Sequence, residues 1–271
     1  MLPVDVQAVV LDNTRISQDY HIVSLAAAEI AARARPGQFV MVKAREGTEP
    51  LLRRPFSVFA LIRDDAGRPA GFTLLGKRVG PATSLLYALE KGDRVSCLGP
   101  LGRPFTLVEP PVEAWMVAGG VGLAPFAMLA ETLAGAGVRT TLFFGGRRQQ
   151  DIFCLETFER LATRVVLATE DGSLGFCGKV TAPLARDLAA APLETKVMIY
   201  ACGPEAMLRA VGRLASQHGR PSELAMERIM GCGLGGCYSC VVRVRDSDGR
   251  VHFVRSCREG PVFRGEDIVW D

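Results

Sequence analysis

The stretch Ala114-Trp115-Met116-Val117-Ala118-Gly119-Gly120-Val121-Gly122-Leu123-Ala124-Pro125 decides how most of this chain folds. Residues 114–118 form an apolar run that reads as a buried strand, a glycine-rich turn follows it, and residues 124–134 carry a helical pattern. A glycine turn at a strand-to-helix junction lets a dinucleotide approach the backbone at the carboxyl edge of a parallel sheet. The spacing is not the strict G-x-G-x-x-G form. Downstream, strand-like segments at 139–144, 165–169 and 197–201 alternate with helical segments at 152–161, 179–188 and 205–218. That βα alternation predicts a parallel sheet covered by helices. Its last strand runs into Tyr200-Ala201-Cys202-Gly203-Pro204-Glu205, a second turn on the same edge, and two such turns outline a cleft.

Upstream, residues 4–108 read differently. Short alternating runs such as Gln38-Phe39-Val40-Met41-Val42-Lys43 and Gly71-Phe72-Thr73-Leu74-Leu75 are punctuated by Gly and Pro, which predicts antiparallel strands of a small barrel or sandwich. A helical turn or two over residues 84–89 follows Pro81, and Pro110-Pro111 marks a boundary because neither residue can continue a ladder. Arg53-Arg54-Pro55-Phe56-Ser57 stands at the start of one strand and, alone, fits an edge strand with a solvated arginine pair. Gly80-Pro81-Ala82-Thr83 precedes a helical start, where free N–H groups favour an anionic phosphate. Together, an arginine and a helix start on one barrel form a clamp for a flavin pyrophosphate.

Beyond Pro221 the chain holds half of its eight cysteines, in the spacing Cys232-x4-Cys237-x2-Cys240-x16-Cys257, with strands at 241–245 and 251–254. The glycines at 231, 233, 235 and 236 permit a loop whose amides turn inward while thiolates hold iron. The C-x4-C-x2-C…C spacing is the plant-type arrangement for a [2Fe-2S] cluster. A structural zinc site also uses four cysteines, but zinc ribbons present two C-x2-C pairs and this chain has one. Cys97, Cys154, Cys177 and Cys202 are isolated and read as small buried hydrophobes.

The length of 271 residues favours two domains with room for a small third, and 48% hydrophobic with 23% charged residues is a globular profile. The net charge of +3 comes with basic residues scattered in pairs, so no nucleic-acid partner is expected. The uncharged segment 115–130 is broken by three glycines and a proline and falls short of the ~20 apolar residues of a membrane span. The first residues lack a secretion signal, and clustered cysteines suit a reducing compartment, so the expected location is cytoplasmic.

Arg-Pro-Phe-Ser, Gly-Gly-Val-Gly-Leu-Ala-Pro and Cys-Gly-Pro, in that order, resemble the ferredoxin–NADP reductase superfamily. Glu227-Arg228-Ile229-Met230-Gly231-Cys232-Gly233 and Ser256-Cys257-Arg258-Glu259-Gly260-Pro261-Val262-Phe263 narrow the resemblance to the electron transfer subunits of dihydroorotate dehydrogenase B. The resemblance implies three parts: an FAD-binding antiparallel β-barrel over residues 1–110, an α/β parallel-sheet nicotinamide domain over 111–219, and a small β-rich [2Fe-2S] domain over 220–271. It implies FAD contacts at Arg54, Pro55, Phe56, Ser57, Gly80 and Thr83, NAD contacts around Gly120, Gly122, Cys202 and Pro204, and a cluster on Cys232, Cys237, Cys240 and Cys257. Ala82 stands where the family's phosphate loop has glycine, and Arg147-Arg148 offers charge for a 2′-phosphate, so NAD rather than NADP rests on the family. The implied partner is an FMN-containing catalytic subunit in a heterotetramer with two copies of each chain. Dihydroorotate is then oxidised on the partner, and electrons pass through the cluster and FAD to NAD⁺ in pyrimidine biosynthesis. The competing reading is a related reductase subunit serving a ferredoxin, hydrogenase or sulfur-reducing partner; a zinc-stabilised module without redox chemistry is the reading from another class.

Other candidates read as structural. His21, His218 and His252 lie in three different segments and support no shared site. Glu170 and Asp171 read as turn residues, Tyr238 as a packed shield between ligands, and Met226 and Met230 as core filling.

Overall fold

A computed structural model of the chain describes residues 2–45, 47–192 and 194–270. Its N-terminal half is a closed antiparallel barrel of β1 (Val4–Arg15), β2 (Tyr20–Ala26), β3 (Phe39–Lys43), β4 (Arg54–Arg63), β5 (Pro69–Lys77) and β6 (Arg94–Leu101), in the order β1-β2-β5-β4-β3-β6. Alternation sends Ala8, Val10, Val23, Leu25, Val40, Val42, Val58 and Leu74 inward as the barrel core. Two short helices, α1 (Ala28–Ala31) and α2 (Pro81–Tyr87), sit in its connections. Closure leaves the barrel without edge strands, so its ends and outer faces are what remain for packing and binding.

The second half is a seven-stranded sheet. β7 (Glu113–Gly119), β8 (Thr140–Gly146), β9 (Arg164–Thr169), β10 (Phe176–Cys177), β11 (Val197–Cys202) and β12 (Ser222–Ala225) run parallel, and β15 (Val262–Arg264) closes one edge antiparallel, in the order β10-β9-β8-β7-β11-β12-β15. Helices α3 (Phe126–Gly135), α4 (Leu155–Glu159), α5 (Thr181–Ala190) and α6 (Glu205–Gln217) make the crossovers. The helix expected over 152–161 is shorter than its pattern, because Cys154 takes a left-handed conformation (φ 57°) immediately before α4 and a 3-10 turn precedes it. The remaining hairpin, β13 (Val241–Arg245) with β14 (Val251–Arg255), leads into the single-turn α7 (Ser256–Glu259).

Two strands from beyond Pro221 thus belong to the parallel sheet. β12 pairs with β11 through Ile199↔Ser222 to Cys202↔Ala225, and β15 pairs with β12. The three regions therefore share cores. Tyr20, Phe59 and Leu75 of the barrel pack with Phe126, Phe144 and Tyr200 of the sheet, and Phe105 stacks on Phe126 at 5.8 Å. On the opposite face of the sheet, Val242, Val244 and Ile268 pack with Ile199, Val211 and Leu224. No helix of the described residues is long and apolar enough to cross a membrane.

Candidate cofactor sites and their relay

The strand β4 opens with the Arg54-Pro55-Phe56-Ser57 motif, and its antiparallel register against β3 is Val42↔Arg54, Met41↔Pro55, Val40↔Phe56 and Phe39↔Ser57. Opposed residues share a face, so the motif divides in two. Arg54 and Phe56 line a narrow crevice with Val42, Ala82 and Leu86, which brings the arginine and the start of α2 to one place. Within the described residues, Arg54 donates only to the carbonyls of Leu52 and Arg53, leaving donor capacity for an anion. Arg53 is committed elsewhere, to Asp5 at 2.8 Å and Ser96 Oγ at 2.6 Å. The Thr83 hydroxyl is also occupied: it accepts from the amides of Val79 and Gly80 at 2.9 and 3.0 Å and donates to the Gly80 carbonyl. Thr83 therefore shapes the turn through its hydroxyl. Gly80 has open space where a Cβ would stand.

At the carboxyl edge of the sheet, the turn after β7 and the turn after β11 touch. Ala118 pairs with Cys202, and a Cβ on Gly122 would lie 2.2 Å from the Cys202 carbonyl oxygen, so only glycine lets the two turns close on each other. Gly119 is similarly pressed by Pro204 and Met207. Gly120, at φ 53°, is left uncrowded, its nearest neighbour being the Tyr20 hydroxyl of the barrel. Strand order reverses between β7 and β11, which is where open parallel sheets bind dinucleotides. Cys202 itself is buried, with its thiol raised well above the usual range by burial and by Glu227. It lines the edge as an uncharged wall. Motif reading missed Tyr20, whose ring packs 4.5 Å from Phe153 and lies 5.0 Å from the Lys77 ammonium at the seam between barrel and sheet. Tyr20 and Lys77 oppose each other across the β2–β5 register and Phe153 comes from the segment before α4, so no sequence spacing marks the three together.

The cysteine loop lies against the barrel. Gly233 and Gly235 adopt φ of 72° and 87°, and a Cβ on Gly233 would meet Met41 at 2.5 Å. Among the described residues no three His, Cys, Asp or Glu side chains gather as a single metal ion requires; the four loop sulfurs stand as two pairs, Cys232 with Cys237 and Cys240 with Cys257. Two thiolate pairs match the donor set of a two-iron cluster, and the amides turned onto them fit it also. Leu234 N–H points at Cys232 Sγ at 3.3 Å, and the Gly235 and Ser239 amides reach Cys257 and Cys237.

The inner and outer pairs differ. Cys240 and Cys257 are each 2% exposed and pack with Phe39, Met41, Leu98, Leu101 and Met230. Burial, with Cys240 and Cys232 alongside, pushes the Cys257 thiol up to about 12, whereas the Ser239 hydroxyl and amide pull exposed Cys237 down to about 6. Arg255 braces the loop from outside, donating to Gly235 O at 3.1 Å and Tyr238 OH at 3.4 Å while paired with Glu259 at 3.0 Å. Tyr238 is 63% exposed, so it lies under the Arg255 guanidinium at 5.1 Å and is not packed as a shield. Met230 packs against the inner cysteines, while Met226 belongs to the sheet core. Of the isolated cysteines, Cys97 and Cys202 are buried and Cys154 is half-buried; Cys177 is exposed, because β10 is a two-residue edge strand. His21 is buried against Asn13 at 2.7 Å, and Asp171 caps the Ser173 amide at 2.9 Å.

A single strand separates the cysteine loop from the Arg54-Pro55-Phe56-Ser57 motif. Gly233 touches Met41, and Met41 pairs with Pro55, so the loop rests on β3, the strand next to the flavin-type strand. An open groove of about 570 Å³ lined by Asp5, Lys43, Leu51, Leu52 and Arg53 reaches Cys232 of the outer pair.

A barrel of this topology joined to a parallel nicotinamide-type sheet, with a four-cysteine loop on the barrel, defines an iron–sulfur oxidoreductase of the ferredoxin–NADP reductase fold. Residues 116–213 match the oxidoreductase NAD-binding domain, and residues 227–269 match the iron–sulfur cluster binding domain of dihydroorotate dehydrogenase B. The chain is 37% identical to the dihydroorotate dehydrogenase B (NAD(+)) electron transfer subunit of Desulforamulus reducens, covering 94% of this chain and 95% of that one. The subunit of the same name from Geobacillus thermodenitrificans is 34% identical over 96% of each. A solved structure of an NADH-dependent reduced ferredoxin-NADP oxidoreductase, described for flavin-based electron bifurcation, superposes with a TM-score of 0.82 at 27% identity, covering 98% of this chain and 90% of that chain. The chain belongs to the family of dihydroorotate dehydrogenase B electron transfer subunits.

Proposed function

We propose that this chain carries electrons from a separate FMN-containing dihydroorotate-oxidising subunit to NAD⁺, in an assembly of two copies of each chain. The contact of Gly233 with Met41, one strand behind the flavin motif, carries this reading, because it sets an entry site for single electrons against a flavin strand. When bound, the flavin joins the one-electron chemistry of the cluster to the hydride chemistry of the nicotinamide. The polypeptide's work is then positional. Arg54 and the start of α2 grip the pyrophosphate of FAD, with Pro55, Phe56, Ser57, Gly80 and Thr83 shaping that strand and turn. Gly120 and Gly122, with Cys202 and Pro204, leave the sheet edge open to NAD, and Cys232, Cys237, Cys240 and Cys257 ligate the cluster. Residues 1–110 thus serve FAD, 111–219 serve NAD and 220–271 serve the cluster. Four ligand thiolates favour a reducing compartment, which supports a cytoplasmic setting.

Oxidation of dihydroorotate, with the general base that it needs, belongs to the partner subunit. Purified with its cofactors, the isolated chain should reduce an artificial acceptor with NADH and give no reduction with dihydroorotate. Dihydroorotate oxidation by the chain alone overturns the two-subunit reading. The likeness to the NADH-dependent ferredoxin-NADP oxidoreductase favours a second reading, a reductase subunit serving a ferredoxin, and the protein that co-purifies with the chain separates the two.

A further inference from the structure

Residues 102–112 connect the barrel to the sheet, and their first half is tied to both. At the start, Gln38 Nε2 donates to the Gly102 carbonyl at 2.8 Å, and a Cβ on Gly102 would lie 2.9 Å from the ring of Phe39, which pairs with Ser57 of the flavin-type strand. Four residues on, every polar group of Thr106 is bound to the sheet. Its amide and its hydroxyl donate to the two carboxylate oxygens of Glu223 at 2.8 and 2.6 Å, and its carbonyl accepts from the Tyr200 hydroxyl at 2.7 Å. Thr106 is exposed, whereas Glu223 and Tyr200 are buried. Burial, with Glu223 alongside, pushes the Tyr200 hydroxyl above its usual range, so it keeps the proton that its bond requires. Tyr200 and Glu223 pair directly across β11 and β12, each two residues before the carboxyl edge, where Cys202 pairs with Ala225. Side chains two apart on a strand share a face, so the anchor lies directly beneath the nicotinamide-type turn.

We infer that Glu223 and Tyr200, by fastening Thr106, are positioning residues for hydride transfer: they hold the nicotinamide edge of the sheet in register with the flavin strand of the barrel. The inference rests on the flavin and nicotinamide sites proposed above. The apolar core shared by barrel and sheet supplies attraction without direction. Three short hydrogen bonds on one residue supply direction. Across the same seam the Tyr20 hydroxyl stands 3.4 Å from Asp151, a weaker link. Hydride transfer demands close alignment of the reacting atoms, and a misplacement of ~1 Å costs on the order of 100-fold in rate. The anchor lies beneath the edge and not on it, so loosening it alters the approach of the two rings and leaves each binding surface intact.

The test is stopped-flow reduction of the bound flavin by saturating NADH, with hydrogen exchange over residues 102–112 of the FAD-free chain as a second readout. Thr106→Val, at an exposed position, and Tyr200→Phe should each slow flavin reduction on the order of tenfold and speed exchange in the connection, while the dissociation constants for FAD and NADH stay at wild-type values. Thr106→Ser, which keeps the hydroxyl, should match the wild type in every measurement. Wild-type reduction rates in both Thr106→Val and Tyr200→Phe overturn the inference, as does a Thr106→Ser protein as slow as Thr106→Val. Slower reduction that comes with weakened FAD or NADH binding, or failure of both variants to fold, also overturns it, because the contacts would then serve stability alone. A wild-type chain that binds FAD and is not reduced by NADH defeats the proposed function itself, which a reducible wild type with unaffected variants leaves standing.

Discussion

Gly122 and Arg54 show what a single residue contributes to each nucleotide site. A methyl group at 122 would stand 2.2 Å from a backbone oxygen of the neighbouring turn, and neither partner is a flexible side-chain tip that could swing away. Gly122→Ala should therefore lower stability by about 1–3 kcal/mol through overpacking and raise KM for NADH; thermal unfolding and steady-state kinetics on the same preparation check both. Among the described residues Arg54 has no acidic partner, so its removal orphans no carboxylate there. Arg54→Ala should weaken FAD binding by roughly 10- to 100-fold, the worth of a charge-assisted hydrogen bond to phosphate, with little change in apoprotein melting. Titration of apoprotein with FAD gives the constant. The motif was legible at this scale, but the split of Arg54 and Phe56 from Pro55 and Ser57 follows only from the register against β3.

Elements carry effects that no isolated residue explains. His21 on β2 is enclosed by Asn13, Gly76 and Tyr87, and burial, with Arg15 adding to it, lowers its pKa from 6.5 to about 4. The unfolded chain then binds a proton that the folded chain refuses between those values. Stability from this group is complete above pH 6.5 and declines as pH falls toward 4, by on the order of 3 kcal/mol. His21→Gln should flatten the pH dependence of thermal unfolding over that window, and an unchanged slope refutes the assignment. On the loop between Met230 and β13, Arg255 ties Gly235, Tyr238 and Glu259 together from α7's threshold. Arg255→Ala should release iron to a chelator several-fold faster while leaving FAD bound, as followed by absorbance. Strand and helix periods disclosed the crossover helices of the sheet and, in the barrel, β3, β5 and the start of β4, but marked neither β2 nor β6. They did not place β12, whose four residues pair with β11 and with a strand that begins at Val262, and no local pattern encodes so distant a partner.

At the scale of the whole molecule, the arrangement is a sequence of contacts: groove, outer sulfur pair, inner sulfur pair, Met41, β4, and then the sheet edge reached through Tyr20 and Gly120. The cysteine spacing announced the first of these sites and the glycine turns the last. Their adjacency was not legible, because it depends on Gly233 pressing on β3 and on cores shared by barrel and sheet. A relay of this kind makes a separable prediction. Cys237 belongs to the exposed pair and its removal leaves the barrel crevice and sheet edge untouched, so Cys237→Ser should abolish the cluster signal with FAD occupancy unchanged. NADH oxidation by a dye that draws electrons from the flavin should persist. Dihydroorotate-dependent NADH formation by the complete two-subunit assembly should fall to background. Retention of that coupled activity without a cluster signal would mean that electrons enter by another route, and concurrent loss of FAD would mean that the two sites fold as one.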